Sequence, residues 1–161
     1  MKIRELLNEK SASVLHVSPD TLIHDCIEIM NRHRVGSLMI VEADDRVAGI
    51  LTERDLLEGY HCCDNRPGIC RHPARDLMTP AARLISVTAD CALDSAMEKM
   101  TEHNVRHLPV FDRPEGSLIG VLAIGDIVRT LLRCAQKENK TIKQYMFGQE
   151  QPFATDHIPM V

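Results

Sequence analysis

Residues 17–56 of this chain are repeated at residues 87–127, and this internal repeat limits the possible folds more than any other feature. Across positions 17–41 the copies share seven identities in 25 positions at a constant offset of 70. After one extra residue in the second copy, Gly49–Asp55 aligns with Gly120–Asp126. Each copy is too short to bury its own core, so we expect a pseudo-symmetric pair with its chemistry in the cleft between the copies.

The spacing of apolar residues predicts the order strand, helix, strand, strand, helix in each copy. One apolar helix face (i, i+3, i+4, i+7) recurs in both copies, formed by Ile23, Cys26, Ile27 and Met30 and by Leu93, Ala96, Met97 and Met100. Asp20, Thr21 and Asp90 precede these helices as expected caps. The closing helices are expected to begin near Asp55 and Asp126.

Composition and charge limit the class of protein. A net charge of −4 and a pI near 6.0 argue against general binding to nucleic acid or anionic membranes. No apolar run approaches the length of a membrane span, and the first residues do not read as a signal peptide. We therefore expect a soluble, cytoplasmic protein with reduced cysteines and an aliphatic core, since aromatic residues make up only 3% of the chain.

Catalytic motifs are lacking in the sequence: it has no glycine-rich phosphate loop, no His-Glu-x-x-His and no nucleophile elbow. The acidic and basic residues at 53–55 are better explained as part of a repeated ligand site. The chain is therefore not expected to be an enzyme.

Three motifs carry a family resemblance: Val17-Ser-Pro-Asp20, Val105-Arg-His-Leu-Pro-Val110 and Gly49-Ile-Leu-Thr-Glu-Arg-Asp55. With the lead-ins Ile3–Leu7 and Ala74–Thr79 they resemble a tandem pair of CBS domains, over roughly residues 1–136. The resemblance implies an α/β (α+β) fold of two pseudo-symmetric βαββα repeats packed through their β-sheets. The expected boundaries are residues 8–60 for repeat one, 61–73 for a Cys- and His-rich linker, 74–136 for repeat two and 137–161 for a polar tail.

The resemblance also implies a function. Such pairs bind adenosyl compounds in their clefts, such as AMP, ADP, ATP, NAD(H) or S-adenosylmethionine, and usually form homodimers. The chain resembles a stand-alone regulatory module of this kind, which senses its ligand and signals to a partner protein that the sequence does not identify.

Site residues follow from the same resemblance. Asp55 and Asp126 would accept hydrogen bonds from ribose hydroxyls, while Thr52, Arg54 and His107 would contact phosphate. Backbone and apolar groups would hold the adenine, at Val17, Ser18, Ser37, Val87, Thr88 and Pro109.

Simpler roles stay open for these residues: the two aspartates as helix caps, Thr52 as a strand residue, Arg54 as a solvent-facing side chain and His107 as a strand or interface residue. Copy two has Ala123 and Gly125 where copy one has Thr52 and Arg54. The copy-one motif is therefore predicted to make the better site.

The linker between the copies contains a cluster of potential metal ligands, at Cys62, Cys63, Cys70 and His72. No Cys-x-x-Cys pair is present, so a cysteine-rich linker without metal is the favoured interpretation. A metal- or redox-responsive protein is the alternative function, and a purely structural dimerisation module is the third.

Overall fold

The computed structural model describes residues 1–10, 14–62 and 69–147, and it shows the predicted order of elements in both copies. Helix α1 (Ile3–Lys10) precedes copy one, which comprises β1 (His16–Val17), α2 (Ile23–His33), β2 (Ser37–Val41), β3 (Val47–Thr52) and α3 (Glu53–Cys62). Strand β4 (Thr79–Pro80) and three 3₁₀ turns (Ile69–Arg71, Ala74–Asp76, Ala81–Arg83) follow. Copy two comprises β5 (Val87–Thr88), α4 (Leu93–Glu102), β6 (His107–Phe111), β7 (Leu118–Ala123) and α5 (Ile124–Phe147).

Each copy forms a small mixed sheet, in the order β1-β2-β3-β4 for copy one and β5-β6-β7 for copy two. The first strand of each copy is parallel to the second, and the second is antiparallel to the third. Ser37 lies opposite Thr52, and at the same place in copy two His107 lies opposite Ala123. The repeat therefore extends from the sequence to the strand register.

Both faces of the copy-one sheet are covered. Helix α2 buries Ile23, Cys26 and Met30 in a cluster that also contains Leu38 and Ile40 of β2. The intervening residue, Met39, points to the opposite face because side chains alternate along a strand, yet it too is fully buried. The second face of this sheet is therefore also covered at Met39.

The lead-in of copy one (residues 2–7) packs against copy two rather than against its own copy. The amide of Arg4 donates a hydrogen bond of 2.9 Å to the carbonyl of Ala89. The carboxylate of Asp90 pairs with Lys2 at 3.4 Å and with Arg4 at 3.6 Å. The hydrogen bond from Lys2, the charge of Lys2 and the contacts with Arg4 hold the pKa of Asp90 below its ordinary value.

The lead-in of copy two (residues 74–79) makes the reciprocal contacts with copy one. The amides of Ala74 and Arg75 donate to the carbonyls of Thr21 (2.8 Å) and Pro19 (3.0 Å), and Arg75 forms a salt bridge with Asp20. Each lead-in is thus exchanged between the copies, which joins them at two equivalent places.

The capping prediction for α2 and α4 was wrong. The residues at the N-caps are Leu22 and Ala92, and neither makes a side-chain capping hydrogen bond. Asp20 and Asp90 lie two residues further out, where they pair with the arginine of the exchanged lead-in instead. The carbonyl of Thr21 accepts from that lead-in as well.

The chain divides into two compact units, Met1–Ile124 and Gly125–Val161. In the second unit Ile127 and Thr130 are buried, and the carboxylate of Asp126 lies 3.7 Å from the guanidinium of Arg129. Helix α5 continues past residue 136 to Phe147, so the first part of the segment predicted as a tail is helical. Among the described residues, no helix combines the length and apolar character needed to cross a membrane.

Candidate functional site

A cavity of about 500 Å³, here called the Thr52 cavity, contains residues of both copies. Copy one contributes Thr52, Arg54 and Asp55 from the end of β3 and the first turn of α3. Copy two contributes His107 and Pro109 from β6. Five of the residues predicted from the family resemblance are therefore brought together, and they come from opposite copies.

Thr52 and Asp55 form a reciprocal cap at the start of α3, which begins at Glu53, two residues earlier than predicted. Oδ2 of Asp55 accepts hydrogen bonds from the amide and the hydroxyl of Thr52, both at 2.7 Å. The amide of Asp55 donates to Oγ1 of Thr52 at 3.4 Å. This is a capping box, in which Thr52 is the N-cap and Asp55 is the reciprocal partner.

Thr79 of β4 approaches Asp55 from the side of the exchanged lead-in. Its hydroxyl donates to Oδ1 of Asp55 at 3.4 Å, the longest of the three bonds that this carboxylate accepts through its oxygens. A carboxylate offers about four acceptor positions, so about one remains for a ligand hydroxyl. A second position becomes available if Thr79 rotates away.

Cationic groups line the cavity near this carboxylate. Nη1 of Arg54 donates to the backbone carbonyl of Asn104 at 2.6 Å, a bond that links copy one to copy two. A guanidinium carries five N–H donors, so Arg54 keeps donors for an anion. Arg83 and Arg106 also line the cavity, and the carboxylates of Glu53, Asp55 and Glu58 balance the three guanidinium charges. Any contact with an anionic group therefore depends on the local donors of Arg54 rather than on a net positive charge.

Glu53 brings a carboxylate close to His107. A Cβ added at Gly36 would lie 3.2 Å from both the Glu53 carboxyl group and Cε1 of His107. Glycine at position 36 therefore leaves the space in which these two side chains, one from each copy, approach each other.

Other residues from the family resemblance lie elsewhere. Val17 belongs to the copy-one core, and the Ser18 hydroxyl accepts from the amide of Asp20 at 3.2 Å. Ser37 is half-buried in β2 and does not line the Thr52 cavity. Val87 and Thr88 line a second cavity. Asp126 belongs to the second unit.

The metal-ligand prediction lies largely outside the described residues. Cys63 falls in the undescribed range 63–68, and the side chain of Cys62 is likewise not described. Cys70 is exposed, and Nδ1 of His72 lies 3.1 Å from the carboxylate of Asp76. The favoured interpretation, a linker without metal, and the alternative of zinc binding therefore both stay untested.

Several residues of the cavity were missed by sequence reasoning. Arg83, Leu84 and Ile85 line it from the segment that precedes β5. At the offset of 70, Leu84 and Ile85 correspond to Val14 and Leu15, so this apolar pair was a usable signal. The carbonyl of Asn104 gave no signal, since a backbone acceptor does not depend on the side chain.

The CBS domain family model matches residues 3–61 and 74–133, and this chain therefore belongs to the CBS domain family as a tandem pair. The two matched stretches correspond to the two copies with their lead-ins. The resemblance noted in the sequence is confirmed, and so is an α/β fold of two repeats, each with a small mixed sheet and helices.

Individual relatives support the same assignment. The chain is 30% identical over 157 residues to the mitochondrial CBS domain-containing protein CBSX3 of Arabidopsis thaliana, covering 91% of this chain and 72% of that protein. The crystal structure of the CBS-domain containing protein ATU1752 from Agrobacterium tumefaciens is 30% identical, with a TM-score of 0.72 over 80% of this chain and 91% of the other. CBSX2 in complex with AMP is 26% identical, with a TM-score of 0.65 over 83% and 98%. The domain also occurs in inosine-5'-monophosphate dehydrogenase.

Proposed function

We propose that this chain is a regulatory module that binds an adenine nucleotide in the Thr52 cavity and signals its occupancy to a partner protein. The observation that carries the proposal is the convergence of Asp55 and Arg54 from copy one with His107 from copy two in one cavity. The complex of CBSX2 with AMP shows a structural relative with a ligand of this class.

Asp55 is the residue proposed to bind the ribose. Its carboxylate is fixed by the amide and hydroxyl of Thr52, so it need not be ordered when the ligand arrives. Its remaining acceptor position takes one ribose hydroxyl, and rotation of Thr79 supplies the second. The hydroxyl of Thr52 already donates to Asp55. The proposed main role of Thr52 is therefore to hold the Asp55 carboxylate in place, and a hydrogen bond to phosphate is secondary.

Arg54 and His107 are proposed to bind the phosphate. For a two-pronged contact with phosphate, the guanidinium of Arg54 releases the carbonyl of Asn104 and donates to phosphate oxygens instead. That exchange removes one hydrogen bond between the copies and replaces it with contacts made through the ligand. A ligand shifts a conformational equilibrium by its differential affinity for the two states, so this exchange is the proposed origin of the signal.

The test is isothermal titration of AMP, ADP, ATP, NAD(H), S-adenosylmethionine and adenosine into the wild type and two variants. Arg54→Gln is expected to weaken AMP binding about tenfold and to leave adenosine binding unchanged, because adenosine has no phosphate. Asp55→Asn is expected to weaken both. Equal losses of AMP and adenosine in Arg54→Gln would refute the phosphate role, and no binding of any compound by the wild type would refute the proposal.

A homodimer is part of the proposal and is checked by sedimentation with and without the best ligand. The cytoplasmic location stays a prediction from the sequence. The relative CBSX3 is a mitochondrial protein, so the comparison does not support this prediction.

A further inference from the structure

A second cavity, of about 670 Å³, lies in the first unit and is here called the Lys99 cavity. It is lined by apolar side chains that include Val47, Leu84, Val87 and Phe111. Leu84 also lines the Thr52 cavity, but Asp55, Arg54 and His107 do not line this one. The Lys99 cavity is therefore separate from the proposed nucleotide site.

Lys99 supplies a half-buried positive charge to this cavity. Its ammonium group donates to the carbonyl of Ser86 at 3.0 Å. An ammonium has three donors, so two remain. Among the described residues, no carboxylate forms a salt bridge with Lys99. The positive charge of Lys99 is therefore not balanced by a carboxylate and can attract an anion to the cavity.

Arg113 adds a second positive charge from the turn between β6 and β7. Its side chain is exposed, and no described residue accepts a hydrogen bond from its guanidinium. Glu115 is the acidic residue of the lining, so the two cations leave the cavity with a net positive charge.

The repeat shows that copy one has uncharged residues at the positions equivalent to Lys99 and Arg113. At the offset of 70, Lys99 corresponds to Ile29 and Arg113 corresponds to Ala43. Ile29 is partly buried and packs against the copy-one core. An apolar residue therefore occupies the position of Lys99 in copy one. Both cations are found only in copy two, and both line the Lys99 cavity.

We propose that the Lys99 cavity binds a small organic anion, a carboxylate or phosphate ester with an apolar body. The apolar walls bury the body, while the ammonium of Lys99 and the guanidinium of Arg113 bind the anionic group. The two free donors of Lys99 give hydrogen bonds to it, and Arg113, on an exposed turn, is placed to contact it from the solvent side.

The test uses anilinonaphthalene sulfonate, an anionic fluorophore with an apolar body, titrated into the full-length protein without nucleotide. Lys99→Ile, which installs the residue of copy one, is expected to weaken binding about tenfold. Arg113→Gln, an exposed change that leaves the core intact, is expected to weaken binding about threefold. Arg32→Gln removes one positive charge from the exposed side of α2 and is the matched control, with no change expected.

Two outcomes would overturn the proposal. One is that Lys99→Ile and Arg113→Gln, shown by circular dichroism to be folded, bind the fluorophore as tightly as the wild type. The other is that the neutral analogue phenylnaphthylamine binds as tightly as the sulfonate and is unaffected by both substitutions, which would make the cavity an apolar site without anion selectivity. Loss of binding in the two cavity variants alone, together with weak binding of the neutral analogue, supports the proposal.

Discussion

Gly49→Ala is expected to destabilise the protein far more than Gly120→Ala, although the two glycines occupy the same position of the repeat. Gly49 lies opposite Pro80 in the β3–β4 pair, and a Cβ on Gly49 would overlap the carbonyl oxygen of Thr79. At Gly120 the added Cβ would lie 2.8 Å from Cδ2 of Leu7. The first obstacle is backbone, and the second is the end of a flexible side chain.

The size of the difference follows from what has to move. None of the described glycines has a positive φ, so the cost at both positions is steric. Relief at Gly49 requires β4 to separate from β3, which combines overpacking of about 1–3 kcal/mol with the loss of a hydrogen bond of about 1 kcal/mol. Relief at Gly120 requires a change in the Leu7 rotamer, at about 1 kcal/mol. The expected loss in free energy of unfolding is therefore about 2–4 kcal/mol for Gly49→Ala and about 1 kcal/mol for Gly120→Ala.

The assay is urea unfolding followed by far-ultraviolet circular dichroism, because the chain has no tryptophan. If the free energy of unfolding falls with urea at the same slope in wild type and variants, the substitutions changed stability without changing the unfolded state. Gly49→Ala should also weaken AMP binding, since β4 carries the Thr79 hydroxyl that contacts Asp55. If Gly49→Ala lowers the free energy of unfolding no more than Gly120→Ala does, β4 is not a fixed wall of the Thr52 cavity.

Two further predictions concern ionisable groups. Burial, with the charge of Asp25, raises the pKa of Cys26 from 9.0 to about 11, so its native thiol should resist iodoacetamide while exposed Cys70 reacts. Its stability contribution relative to Cys26→Ala should be constant below pH 9.0 and decline as the pH rises towards about 11. Equal labelling rates of Cys26 and Cys70 by mass spectrometry would contradict this. Because Lys2 lowers the pKa of Asp90, stabilisation relative to Asp90→Asn should be present above the ordinary carboxyl pKa. It should disappear as the pH falls through the folded-state pKa, and parallel pH profiles of the two proteins in urea unfolding would contradict it.

The sequence predicted the local structure well because both copies carry the same spacing of apolar and polar residues. The face made by Ile23, Cys26 and Met30 is buried, as its helical spacing indicated. The order of strands in both copies followed from short apolar runs separated by polar turns. The capping prediction failed because the aspartates were placed by residue preference alone, whereas an arginine distant in sequence provides a charged partner for Asp20.

The candidate site was predictable in part. Thr52, Arg54 and Asp55 are adjacent in sequence, so their shared position on β3 and α3 follows from local structure. Their meeting with His107 depends on how the two copies face each other, which the family resemblance implied and local patterns did not. The contact of Thr79 with Asp55 spans 24 residues and includes a segment that sequence reasoning treated only as a lead-in.

The sequence by itself determined that two equivalent units exist, in which order their helices and strands follow, and that the aligned motifs at 49–55 and 120–126 differ. The tertiary structure decided which copy each lead-in joins, which residues share the Thr52 cavity, and that Lys99 and Arg113 line one cavity. The reason is the repeat itself. Both copies present nearly the same surface to a lead-in, so no local pattern distinguishes attachment to one copy from attachment to the other. Only the complete set of long-range contacts, such as those of Arg4 with Asp90 and of Arg75 with Asp20, makes the exchanged arrangement the observed one.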